Sequence, residues 1–187
     1  MITLLEVKKK ILRIIEEINT GNSATDENIS TDAELGEKLN DIINEVQFEL
    51  ARIKKIPAKE DLDVFENQEI NLKEELDNFY QLNCIKGVRY EQIDDTIEFL
   101  ENGTAKIFFY KYPKRISRNT DAEKYKFEIS DDAIECLIMG VAADILKSDV
   151  SNNYGQIYAN RYAELKQGLD PRYARGSIVV DDDGLDF

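Results

Sequence analysis

The chain has 187 residues and no histidine, and its 38 Asp plus Glu against 24 Lys plus Arg leave a formal net charge of −14. That length suits one domain with an insertion, or two small ones, and is enough to bury a core without staples. An acidic surface repels nucleic acid on average, which excludes a whole-protein phosphate-backbone binder but suits the wall of a channel that DNA passes through.

Thr3-Leu4-Leu5-Glu6 has the spacing of a capping box, and Leu4, Val7, Ile11, Leu12, Ile14, Ile15 and Ile18 follow mainly on one side of a helix. Lys8-Lys9-Lys10 interrupts the apolar residues, so the segment reads as a mature helix and not as a signal peptide. Residues 19–30 are polar and read as a loop. A second capping box at Thr31-Asp32-Ala33-Glu34 opens a long amphipathic helix carrying Leu35, Leu39, Ile42, Ile43, Val46, Leu50 and Ile53, and Pro57 stops it.

Between 58 and 113 the period changes. Short runs around 63–65, 69–72, 79–85, 88–90, 96–100 and 105–110 are rich in β-branched and aromatic residues. Turn signals separate them at Lys86-Gly87, Asp94-Asp95 and Glu101-Asn102-Gly103. They predict a small antiparallel sandwich or rolled sheet.

Ser130-Asp131-Asp132 then offers acceptors and negative charge to a helix start. The residues from Ala133 to Leu146 are apolar almost all round, as in a helix at the middle of a bundle, too short and too interrupted by Asp144 and Lys147 to span a bilayer. After a break at 151–153, Tyr154, Ile157, Tyr158, Tyr162, Leu165 and Leu169 make one stripe of a last helix, which ends at Gly168 and Asp170-Pro171. Helices near 4–18, 32–54, 131–148 and 154–168 predict an α+β chain. The expected architecture is a four-helix bundle (1–57 and 114–171) with an inserted β domain (58–113) and an extended acidic tail (172–187).

Few residues carry recognisable chemistry. No Walker loop, dinucleotide fingerprint or nucleophile elbow is present. Asp181-Asp182-Asp183-Gly184 lacks the spaced ligands of a calcium loop and reads as solvated acid. Cys84 and Cys136 read as buried free thiols of a reducing compartment. Tyr154, Tyr158 and Tyr162 at helical spacing are candidate core or subunit contacts, with base stacking as the other reading. Lys111, Lys114, Arg115 and Arg118 form a local basic cluster, either a solvated loop or a docking site for an acidic partner or DNA phosphates. In the tail, Ile178, Val179 and Val180 make one β-prone triplet, followed by three aspartates and then Leu185 and Phe187. So short a strand must add to an existing sheet edge, and the flanking residues ask for a partner with basic groups and an apolar slot.

Several segments also carry a family resemblance. They are Phe79-Tyr80-Gln81-Leu82 after an acidic turn, the run from Ile107 to Pro113, and Phe127-Glu128-Ile129-Ser130-Asp131-Asp132-Ala133. The run from Gly140 to Asp149 and Tyr154-Gly155-Gln156-Ile157-Tyr158 complete the set. Together they resemble the head–tail connector (adaptor, or neck) proteins of tailed bacteriophages, in element order and texture, over roughly residues 31–171. The 19–30 loop and the β insert depart from the simplest all-helical connectors. The resemblance implies a structural virion protein, made in the bacterial cytoplasm, without catalytic residues or cofactor. It implies a homo-oligomeric ring, usually twelvefold, bound beneath the portal protein and offering a surface to a downstream neck or tail protein. DNA passes through such a ring without specific binding, no membrane is involved, and the C-terminal segment reaches into the portal. The rival readings are another tail-completion or baseplate protein, and an enzyme using paired carboxylates, such as a glycan hydrolase.

Overall fold

The computed structural model describes residues 2–20, 33–147 and 153–169. Within them the order is α1 (Leu4–Thr20), α2 (Ala33–Ile53), β1 (Ile56–Val64), β2 (Glu69–Asn71), α3 (Leu72–Glu75), β3 (Phe79–Lys86), β4 (Tyr90–Ile93), β5 (Thr96–Phe99), β6 (Gly103–Lys111), α4 (Asp131–Leu146) and α5 (Tyr154–Gly168).

The first helix starts as its sequence requires. Thr3 N–H donates to Glu6 Oε2 at 2.8 Å and Glu6 N–H donates to Thr3 Oγ1 at 3.3 Å, so two amides that the helix cannot satisfy are satisfied reciprocally. The start of α4 differs from expectation, because Ser130 makes no side-chain capping bond there. The acid of that turn is used instead by Lys54, at the end of α2, which pairs with Asp132 at 2.8 Å. The second capping box lies outside the described residues.

The four-helix bundle is not what forms. In a bundle each helix gives one stripe to a shared axis. Here α4 is the hub: Ala133, Leu137, Val141 and Ala142 are fully enclosed, and α1, α2 and α5 each make their main helix contact with it. Because α4 is apolar on nearly every side, it takes neighbours all round. The space that a bundle would fill with another stripe is filled by irregular chain, with Ile116, Phe127 and Ile129 joining the helical core, together with Ile56 from the start of β1.

Two glycines let α5 approach. A Cβ at Gly140 would lie 2.8 Å from the Tyr162 ring, and one at Gly155 would lie 2.8 Å from the Leu146 carbonyl oxygen.

The β residues form two three-stranded antiparallel sheets, ordered β1-β6-β3 and β2-β5-β4. They enclose a second core around Leu72, Ile97, Phe99, Ala105 and Ile107, separate from the helical one. Strand β1 is longer than the sequence suggests and includes Pro57, which an edge strand tolerates because one side of it needs no ladder bond. Phe65 falls in the turn after β1 and is 68 % exposed. Sheet and helices meet at an aromatic joint. The Tyr112 ring stands 5.5 Å from Phe48 of α2 and 4.8 Å from Tyr80 of β3, and Lys55 Nζ donates to Gln81 at 2.7 Å.

Candidate interaction surfaces

The strongest polar site in the interior is a clamp between α2 and the chain that returns from the sheet. Asn44 and Gln47 lie on the apolar side of α2 and are buried. Asn44 donates through Nδ2 to the Ile116 carbonyl and accepts from the Ile116 amide, both at 2.8 Å. Gln47 donates to Asn44 Oδ1 at 2.9 Å and accepts from the Tyr125 hydroxyl at 3.2 Å. The single Tyr125 hydroxyl proton is shared with the Lys114 carbonyl, the nearer acceptor at 2.6 Å, and burial pushes the phenol up to about 12. A side-chain amide supplies both donor and acceptor, which is what an unpaired stretch of backbone lacks. The sequence marks neither residue, because an Asn or Gln on a helix reads as surface.

The clamp decides where the predicted basic cluster goes. Glu128 accepts from Lys111 Nζ at 2.5 Å and from the Lys114 amide at 2.9 Å, so the first cation is half-buried and neutralised. Arg115 is exposed, and Arg118 lies beside Asn40 and Asp41 in a shallow recess. Of the four predicted residues, Lys111 is thus neutralised within the chain, while Lys114, Arg115 and Arg118 are exposed.

The three tyrosines of α5 also separate. Tyr162 turns inward against Gly140 and Val46, and its hydroxyl donates to Glu49 at 2.6 Å. Lys166 pairs with the same carboxylate. Burial raises the Glu49 carboxyl, but the hydrogen bonds from Lys166 and Tyr162 outweigh it and hold the group below the ordinary carboxylate range. Burial, reinforced by the Glu49 carboxylate, pushes the Tyr162 phenol well up. Tyr158 is half-buried, while Tyr154 is 43 % exposed. Only the outer part of this stripe is available to another molecule. The tail residues Ile178, Val179, Val180, Leu185 and Phe187 lie outside the described residues.

Three further surfaces emerge only from the packing. A cleft of about 620 Å3 between α2, α4 and α5 is lined by Glu45, Glu49, Asp144 and Tyr162. A groove of about 550 Å3 between α1 and α4 has Ile2, Ile14, Ile138 and Met139 along it, with Lys10 and Arg13 balanced by Asp131 and Glu135 in its lining. On the outer face of the β1-β6-β3 sheet, Lys59 and Lys86 flank the Phe108 ring at 5.9 and 5.7 Å, and Lys55 stands 5.0 Å from the Tyr110 ring. The register also sets Lys86 opposite Lys106. The face thus joins Lys59, Lys86 and Lys106, which no local reading of the sequence would join, with Asp61 among them: it pairs with Lys59 at 2.9 Å and lies opposite Lys106. The Lys methylenes cover the rings while the ammonium groups stay in water.

Among the described residues no group of three or more Cys, Asp or Glu side chains gathers as a metal site, and no helix is long and apolar enough to cross a membrane. No family model matches the chain, and no curated protein matches it.

Proposed function

We propose that this chain is a structural component of a tailed-phage neck, a head–tail connector that assembles as a ring beneath the portal, extends the DNA channel and offers the tail a landing surface. The observation that carries the reading is the α4 hub. Two of the segments that carry the resemblance, 127–133 and the run from Gly140, fall on the helix around which α1, α2 and α5 pack. A helix enclosed in this way is a rigid support on which outer surfaces can be held in register around a ring. The net charge of −14 suits a channel lining, since like charge lets DNA slide where a basic wall would grip it. In this reading the tail, with Ile178, Val179 and Val180 ahead of Asp181-Asp182-Asp183, is the arm that docks on the portal as an added strand.

Electron microscopy of the protein mixed with a portal is the test. A ring seated beneath the portal, coaxial with its channel, is the expected result. Deletion of residues 172–187 should leave melting nearly unchanged while abolishing or greatly weakening portal binding. A truncated protein that joins portals normally would remove the docking-arm role, and a wild type that never associates with portals would remove the connector role.

A further inference from the structure

Each sheet leaves two strand edges without a strand partner among the described residues, and the edges are not alike. Strands β2 and β4 are short and carry Glu69 and Glu91. Strand β1 carries Pro57, Glu60, Asp61 and Asp63. Short length, proline and charge are the usual guards of an edge. Strand β3 runs for 8 residues, Phe79–Lys86, with no proline and no carboxylate, and only its register shifts after Phe79 and Leu82 blunt it. Its first end follows Glu74, Glu75 and Asp77, whereas Lys86 at its last end stands opposite Lys106 of β6. Like charges set directly opposite cost stability. Asp61 lies on the far side of Lys106, two strands from Lys86, and is paired with Lys59. Arg89, just beyond β3, is paired with Glu101. The free edge is therefore cationic at the Lys86 end and acidic at the Phe79 end.

We propose that residues 178–180 of the same chain add to this edge as a fourth strand, parallel to β3, with Val180 beside Cys84 and Asp182 beside Lys86. Of the residues outside the described set, only Ile178-Val179-Val180 puts three β-branched side chains in a row, and three aspartates follow directly. Charge gives the direction, since the aspartates belong at the Lys86 end and away from Glu74, Glu75 and Asp77. The connecting chain is long enough. Lys166 of α5 pairs with Glu49 of α2, and Lys55, shortly after the end of α2, donates to Gln81 within β3 at 2.7 Å. From Glu49 to Lys55 the chain covers about 13 Å, most of its residues being helical, whereas the stretch from Leu169 to Ile178 can span about 30 Å. So short a strand makes few ladder bonds, exchanges readily and adds little to the melt. The contact belongs to the free chain and does not depend on the connector reading; under that reading the portal competes with β3 for the same residues.

Cys84 is a natural reporter of the contact. It lies on the outer face opposite Phe108, while Cys136 is buried in the helical core. Val179→Cys and Val180→Cys, each made in the full chain, are oxidised with glutathione disulfide at low micromolar protein, and the new bond is located by peptide mapping. Side chains on one face of paired strands lie within disulfide reach and the alternate position does not, so Val180→Cys should bond to Cys84 roughly tenfold faster than Val179→Cys. Lys86→Glu should slow the Val180→Cys reaction several-fold at low salt, and adding Asp182→Lys should restore it. Equal rates at the two positions indicate random collision, and no bond at either indicates no strand; both results overturn the proposal. A bond that joins two chains, seen as a doubled mass, overturns the assignment to the same chain and makes a second copy the donor. A rate indifferent to Lys86→Glu overturns the register that sets Asp182 beside it. None of these results touches the connector reading, which microscopy with the portal judges.

Discussion

Replacing Asn44 with Ala should be the most damaging change of a single polar residue in this protein. The side chain is 2 % exposed and holds both backbone groups of Ile116, itself 2 % exposed, at 2.8 Å each. Alanine leaves the Ile116 amide and carbonyl buried without partners, and each such group costs about 1–3 kcal/mol. Gln47 Nε2 loses its 2.9 Å acceptor and keeps only a long contact of 3.4 Å to the Lys114 carbonyl. Against this, alanine is the better helix former by about 0.6 kcal/mol. The net expectation is a loss of about 3 kcal/mol, or ~6–12 °C in melting temperature for a chain of this size. Far-UV circular dichroism on heating measures the loss. Hydrogen exchange should show the Ile116 amide exchanging faster than its neighbours in the variant. Asn83→Ala on the exposed side of β3 is the control and should fall within about 0.5 kcal/mol of the wild type. A melting temperature for Asn44→Ala within ~2 °C of the wild type would refute the clamp as a stabilising element.

Ala142→Asp should cost several kcal/mol, because Ala142 is fully enclosed in the α4 hub and an unpaired carboxylate there has no counterion; an unchanged melt would sink the hub reading. Glu49 has a lowered native pKa, so its stabilising contribution is present above the unfolded carboxylate pKa and is lost as pH falls through the lowered native value. The melting difference between wild type and Glu49→Gln should therefore shrink from roughly pH 7 toward pH 3, and a gap that stayed constant would contradict the assignment. Cys136 is buried and its thiol is pushed up to about 11 by that burial, so native alkylation followed by mass spectrometry should modify the half-buried Cys84 first. If the proposed channel role holds, the free protein should bind duplex DNA weakly at physiological salt. Tight binding that falls steeply with salt would instead assign Arg115 and its basic neighbours a phosphate-gripping role.

What the sequence determined by itself was local. Hydrophobic spacing marked all four long helices and most strands, since a period of 3.6 or 2 is written in consecutive residues. Thr3 and Glu6 announced their reciprocal cap, because both partners lie within one turn. The all-round apolar character of 133–146 foretold that α4 would be enclosed, and it is. Tertiary structure alone decided what encloses it. A helix without a polar face does not say which neighbours it takes, so a bundle and a hub read alike until Ile116, Phe127 and Ile129 are seen in the helical core. The roles of Asn44 and Gln47 were invisible for a related reason: their partners lie about 70 residues away, and a buried amide is distinguished from a solvated one only by what it meets. Lys59, Lys86 and Lys106 came together on one face, with Asp61 between them, through strand register, and Lys111 was neutralised because Glu128 folds back onto it. Charge along a chain is a property of sequence, but a charged surface depends on which strands and loops pair, and that is settled by long-range packing.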